Sequence, residues 1–296
     1  MAVLLLICFG FCAGLLYQRN RKLRRLSEDL DRLLHDGTPL PISEYREGEL
    51  SILANQLQKV TLRLLESAEE SQRDKVQLAD SLANISHQLR TPLTAMNLTA
   101  AMLTAPELSE ARRMELAGEL RNLLSRTDDL VETLLKLSKL DAGTVTMARD
   151  SVAVRDVICR AVQPLEVPME LREQQMNVSC GEETFTGDLV WTAEALGNLL
   201  KNCMEHTPSG GTISVTAEET ALYTAITVED TGPGFDEKDI PRLFDRFYKG
   251  SNASEGSYGI GLALARTIVT AQNGTIQAMN GSKGARFEVR FYKSVI

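Results

Sequence analysis

Apolar positions repeat with different periods along this chain, and each period predicts a different element. Residues 1–17, MAVLLLICFGFCAGLLY, carry no charge. As a helix rising about 1.5 Å per residue they would reach about 25 Å, the lower limit for crossing a bilayer. A helical stretch starts near Glu47, with Leu50, Leu53, Leu57, Val60 and Leu64 in alternating steps of three and four, the seam of a coiled coil. A long helix is predicted from Ser71 to Leu103, with Leu78, Leu82, Ile85, Leu89, Leu93 and Met96 on one face. Thr104-Ala105-Pro106 turns the chain. A second long helix is predicted from Glu107 to Asp141, through Leu116, Leu120, Leu123, Thr127, Leu130, Leu134 and Leu137, with Gly143 ending it. From residue 144 the period shortens. Strands are predicted over Met176–Cys180, Thr212–Ala217, Leu222–Val228, Thr275–Met279 and Arg286–Phe291, with helices near 152–166, 188–206 and 259–272.

Two long antiparallel helices with one apolar seam each cannot bury both seams well alone. Pairing with a second copy into a four-helix bundle is the natural solution, with Leu82, Ile85, Leu89, Leu123, Leu130, Leu134 and Leu137 at the expected homodimer interface. The alternation of strands and helices after residue 144 predicts an α/β layer domain. The fold class expected is therefore multidomain, with residues 1–18 a transmembrane helix, 19–70 a helical or coiled-coil linker, 71–143 a helical hairpin and 144–296 an α/β sandwich.

Charge refines this division. Residues 1–25 hold five basic residues and no acid, so the other 271 residues carry a net −13 within the chain's total of −8. Basic residues directly after an apolar run stay in the cytoplasm. The expected topology is single-pass in the cell membrane, N-terminus outside and the body inside. A cleaved signal peptide needs a charged segment before the apolar run and a small-residue site after it; Met1-Ala2 and Tyr17-Gln18-Arg19 supply neither. The acidic balance argues against a nucleic-acid partner. Five scattered cysteines without a CxxC argue against a disulfide framework or structural zinc.

Candidate chemistry begins at His87. With Leu82 at heptad position a and Ile85 at d, His87 falls at f and faces solvent. It lies in Ser86-His87-Gln88-Leu89-Arg90-Thr91-Pro92-Leu93, where Pro92 removes a backbone hydrogen bond from the helix. An exposed imidazole beside a polar amide and a hydroxyl one turn on reads as a presented reactive group.

This segment resembles the H-box of sensor histidine kinases of the HisKA class, and further motifs of that family follow in order. Asn198-Leu199-Leu200-Lys201-Asn202, preceding His206-Thr207-Pro208, resembles the N-box. Asp230-Thr231-Gly232-Pro233-Gly234 resembles the G1 box, Phe244-Asp245-Arg246-Phe247-Tyr248-Lys249 the F-box and Gly259-Ile260-Gly261-Leu262 the G2 box. The match covers about residues 70–296. Upstream, the helix, the Gly37-Thr38-Pro39-Leu40-Pro41 break and the segment Glu47-Gly48-Glu49-Leu50 resemble a HAMP relay module. The residues suit the roles this resemblance implies. Asn198 and Asn202, four apart, share one helix face, and amide oxygens suit Mg²⁺; the family implies the metal on Asn202. Asp230 would accept a hydrogen bond from the adenine amino group of ATP. Gly232 and Gly234 permit close backbone approach, Gly259 and Gly261 open a helix whose amides favour phosphate, and Arg246 and Lys249 are cations placed to reach phosphates. The resemblance implies a Bergerat-type ATP site, and no GxxxxGK[ST] in the chain marks a Walker one.

The resemblance implies autophosphorylation of His87 from ATP-Mg²⁺ and transfer to an aspartate of a separate response regulator, with Thr91 orienting water for the regulator's dephosphorylation. With no outer domain predicted, the input is expected from the membrane or a partner membrane protein. Two positions depart from the family. The carboxylate that usually follows the phospho-acceptor is Gln88, whose amide oxygen can orient the imidazole but cannot take its proton. The usual basic residue of the N-box is Glu205, leaving Lys201 or Lys249 to substitute. Gln88 raises the alternative of a protein acting mainly as regulator phosphatase. A non-catalytic scaffold is argued against by Asn202, Asp230, Gly232 and Gly261.

Overall fold

The computed structural model describes residues 7–14, 16–18, 20–21, 24, 49–105, 108–252 and 257–293. They fall into two compact units, 1–82 and 83–296. Within the first, residues 7–14 and 16–18 are helical and exposed. Among the described residues no helix is long and apolar enough to cross a membrane. The predicted 1–18 span includes residues outside that set, and most of the 19–70 linker, with the Gly37–Pro41 break, lies outside it.

Helix α1, Glu49–Leu103, runs unbroken for 55 residues. The coiled-coil stretch near Glu47 and the helix expected from Ser71 are thus one element. Pro92 lies inside α1 and is buried. Helix α2, Glu110–Asp141, starts on Ser109, whose side chain accepts a hydrogen bond from the backbone N–H of Arg112. That contact satisfies one of the free donors of the first turn.

The remaining chain is a layer of helices on a sheet. Strands β2 (Gln175–Ser179), β4 (Thr212–Glu219), β5 (Tyr223–Asp230), β6 (Gly274–Asn280) and β7 (Ala285–Tyr292) form a sheet in the order β2-β4-β5-β7-β6, with β2 parallel to β4 and the others antiparallel. Two four-residue strands, β1 (Asp150–Ala153) and β3 (Thr184–Gly187), make a separate antiparallel pair. Helices α3 (Val154–Val162), α5 (Leu189–His206) and α6 (Gly261–Ala271) pack together, and α4 (Glu166–Leu171) is a short turn between them. The period-two pattern predicted this: Ile213, Val215, Ile226, Val228, Phe287 and Val289 all point to the helical layer and are buried. Each such side chain contributes about 1.5–3 kcal/mol on burial.

The C-terminal stretch of the second hairpin helix turns its seam to the rest of its own chain. Leu130 and Leu137 are 2% and 4% exposed and belong to the same hydrophobic cluster as Leu199, Leu264 and Phe287, with Leu89 and Leu134 packed against it. The expected homodimer seam is therefore covered within the chain along this stretch, because α2 packs against α6. The large apolar residues of unit 83–296 left open on the hairpin are Leu98, Met102, Met114, Leu124, Val131 and Leu135, with Leu93 of the first helix's predicted seam; each is at least 40% exposed.

Candidate nucleotide site

Asp230 is the last residue of β5 and in phase with Ile226 and Val228, so strand alternation turns its carboxylate inward, where it is 2% exposed. Burying a carboxylate is costly unless it is hydrogen-bonded. One oxygen, Oδ1, accepts from the backbone N–H groups of Gly232 (2.8 Å) and Ala285 (3.0 Å). The other, Oδ2, is buried with no partner, although Asp230 lines a cavity of about 250 Å³. An unpaired buried acceptor on a cavity wall points to a ligand donor. Beneath it, burial and the neighbouring Asp230 charge push the Cys203 thiol well above its ordinary pKa, so it stays neutral.

Helix α5 supplies another wall. Asp188 caps it, accepting from the backbone N–H groups of Val190 and Trp191. Leu199, Leu200, Cys203 and Met204 are buried, which leaves Asn198, Lys201, Asn202 and Glu205 as a cavity-facing stripe with spacing i, i+3, i+4, i+7. Asn198 Nδ2 donates to the carbonyl of Glu194 at 2.9 Å. Its Oδ1 faces the start of α6, where a Cβ on Gly261 would come within 2.8 Å. The amide of Asn202 has no partner among the described residues and remains available to a ligand.

The loops meet at glycines. Gly234 and Gly259 have φ of +75° and +69°, conformations costly for other residues. Gly259 also leaves no room for a Cβ, which would lie 2.8 Å from the Phe247 carbonyl carbon, and its own carbonyl accepts from the Phe247 N–H at 2.8 Å. Phe247 itself is held at φ +63°. The F-box end is thereby clamped to the start of the G2 segment.

Of the predicted residues, Asn198, Asn202, Asp230, Gly234, Lys249, Gly259, Gly261 and Leu262 line this one cavity. Gly232 stands behind the wall, where its N–H holds Asp230 and a Cβ would press on the His206 carbonyl at 2.8 Å. Arg246 is separated from the cavity: its guanidinium makes two hydrogen bonds, 2.7 and 2.6 Å, to the Asp141 carboxylate at the end of α2. His87, Gln88 and Thr91 lie on α1 and are not on the cavity wall. His87 and Thr91 are exposed, and the Thr91 hydroxyl donates to the His87 carbonyl at 3.3 Å.

Some residues that build the site carry no motif. Asn280, at the end of β6, holds the G1 loop by accepting from the Phe235 N–H and donating to the Phe235 carbonyl. Gly284 packs so closely that a Cβ would lie within 2.5 Å of Asp230. Asp239 accepts from the Tyr248 hydroxyl and from the Ser251 N–H and hydroxyl. The Ser251 N–H and these hydroxyls hold its carboxyl below the ordinary range, and the loop carrying Lys249 is anchored there. The β6–β7 turn, read as NGSKGA, signals a bend, but nothing local in it names the loop it supports.

Residues 77–143 match the His Kinase A (phospho-acceptor) domain, and residues 187–294 match the family of histidine kinase-, DNA gyrase B- and HSP90-like ATPases. The second family implies ATP binding. The sensor protein CreC of Escherichia coli K12 is 28% identical over 287 residues, 96% of this chain and 58% of that protein. The sensor protein PfeS of Pseudomonas aeruginosa is 30% identical over 283 residues, 92% of this chain and 59% of that protein. This chain thus spans less than two thirds of those relatives. Among solved structures, the Acinetobacter baumannii histidine kinase AdeS superposes with a TM-score of 0.59 at 22% identity, over 71% of this chain and 98% of that one, a likeness of fold. With the phospho-acceptor hairpin and the ATPase module in tandem, and sensor kinases aligned along nearly the whole length, the chain belongs to the sensor histidine kinases of two-component systems.

Proposed function

We propose that this protein autophosphorylates on His87 with ATP-Mg²⁺ and passes the phosphoryl group to an aspartate of a response regulator. The observation that carries the nucleotide half is the buried, unpartnered Oδ2 of Asp230 on the cavity wall. It is an acceptor suited to an exocyclic amine, with Gly259 and the N-terminus of α6 on the same cavity for phosphate. Asn202, with Asn198 beside it, offers the amide oxygen that fits Mg²⁺, which takes few protein ligands. When bound, the cation would neutralise charge on the polyphosphate. The exposed His87 presents its imidazole to solvent. Its Nε2 lone pair would attack the γ-phosphorus as the bond to the bridging β–γ oxygen breaks, with ADP leaving. Gln88 would accept from Nδ1–H and fix the tautomer, and the proton lost from the ring would pass to water.

Because His87 is not on the cavity wall, transfer requires the module to reposition on the hairpin, or to act on the partner subunit's His87. A homodimer formed through the hairpin fits the open Leu124, Val131 and Leu135. Residues 1–18 would be the membrane anchor, with the catalytic modules in the cytoplasm and input from a partner membrane protein or the bilayer. A second activity, regulator dephosphorylation, fits Thr91 one turn from His87.

The test is incubation of the full chain, in detergent, with γ-labelled ATP and Mg²⁺. Acid-labile, base-stable label should appear and should be abolished in His87→Ala, while the helical content is unchanged. Label persisting in His87→Ala would sink the site.

A further inference from the structure

The cavity has a wall that the nucleotide module does not itself supply. Arg126, Asp129, Leu130 and Thr133 of α2 line it, and their spacing of i, i+3, i+4, i+7 puts them on one stripe of that helix. The stripe is held in place. Leu130 is sunk in the module's hydrophobic cluster. Beyond it, Lys136 Nζ reaches Glu194 of α5 at 2.9 Å, and Asp141 holds Arg246. The stripe also runs along a particular side of the cavity. Helix α2 packs on α6 and is tied to Glu194, whose carbonyl orients the Asn198 amide against Gly261. This is the side with the α6 N-terminus and the two asparagines, the groups suited to phosphate and its cation.

Charge gives the stripe a purpose. Five carboxylates line the cavity against three cations, Arg126, Lys201 and Lys249. A nucleoside triphosphate bound among so many acids depends on each cation, since like charges in a partly enclosed site repel strongly. Arg126 has no hydrogen-bond or ion-pair partner among the described residues. Its planar guanidinium can bind two phosphate oxygens at once, which an ammonium cannot.

We propose that Arg126 is a phosphate-binding residue of the nucleotide site, contributed by the helical hairpin, so that a nucleoside triphosphate bridges hairpin and module. The inference rests on the ATP reading above. Its consequence is linkage: whatever nucleotide gains from the docked hairpin, docking gains equally from nucleotide.

The test is equilibrium binding of adenosine, ADP and a non-hydrolysable ATP analogue, with Mg²⁺, to the full chain in detergent. Wild type is compared with Arg126→Ala and Arg126→Lys. Arg126→Ala should weaken the triphosphate about tenfold, or about 1.4 kcal/mol, weaken ADP less and leave adenosine unchanged. Arg126→Lys should recover part of the loss and guards against a folding defect in the alanine variant. Equal weakening of all three ligands would mean a structural role and would overturn the proposal. Unchanged binding in both variants, with normal wild-type affinity, would overturn it alone. A wild-type chain that binds no triphosphate would overturn the ATP reading and this inference with it.

Discussion

Asp230 carries two different demands on one side chain. Its Oδ1 ties the G1 loop to the β6–β7 turn through two backbone N–H groups, and its Oδ2 waits for a donor. Asp230→Asn separates these. The amide oxygen can keep both backbone contacts, while the NH₂ group would meet an adenine amine donor to donor. Hydrogen bonds to charged groups contribute about 1.5–3 kcal/mol, so ATP affinity should fall about ten- to a hundredfold with the melting temperature little changed. Calorimetric titration of wild type and variant checks this; equal affinities would mean that adenine does not meet Oδ2. The motif made Asp230 visible in the sequence. Its supports, Asn280 and Gly284, were not, because each acts on a distant segment that folding alone brings near.

Among the elements, α2 is where periodicity and its meaning part. The 4-3 repeat through Leu116, Leu130 and Leu137 marks a buried face, and that face is buried. A repeat reports that something covers a face and not what covers it. At Leu130 and Leu137 the module's own hydrophobic cluster covers the face, and the residues of α2 left open to a second copy include Met114, Leu124, Val131 and Leu135. Leu130→Asp should therefore destabilise the fold itself, since the charge enters a packed core; the cost should exceed the roughly 2–5 kcal/mol of a leucine-to-alanine change. Val131→Asp, one residue on but 40% exposed, should leave the melting temperature of the chain nearly intact and dissociate a dimer. Light scattering with thermal melts distinguishes the two. Dissociation by Leu130→Asp without loss of stability would return the interface to the original seam.

At the scale of the molecule, hairpin and module are joined by a core contact and two ion pairs, Lys136 with Glu194 and Arg246 with Asp141. Partly exposed pairs of this kind contribute modestly, about 0–1 kcal/mol each. For Lys136, burial opposes the charged form, but hydrogen bonds to Glu194 and Glu132 outweigh it and raise its pKa above the ordinary 10.5. A raised folded value means that the stabilisation is fully present below about pH 10.5 and is lost as pH climbs through the folded value. Wild-type stability should thus fall more steeply above pH 10.5 than that of Lys136→Met, as measured by denaturant melts across that range. Parallel pH profiles would show that the pair does not contribute to the fold.

Much of this architecture follows from the sequence alone, for a physical reason. The helical hairpin, the five long strands and the motif residues announce themselves through periods of 3.6 and 2 or through residue types that only one chemistry needs. Strands β1 and β3, four residues each, are too short to display a period, and α4 is a turn of six. The tertiary structure alone decided the rest: that Arg246 pairs with Asp141, that Asn280 and Gly284 shape the Asp230 loop, and that a stripe of α2 with Arg126 lines the same cavity as Asp230. These are contacts between segments tens of residues apart in the chain. A local pattern records which face of an element is buried, whereas the identity of its neighbour is set by how all the faces are covered at once.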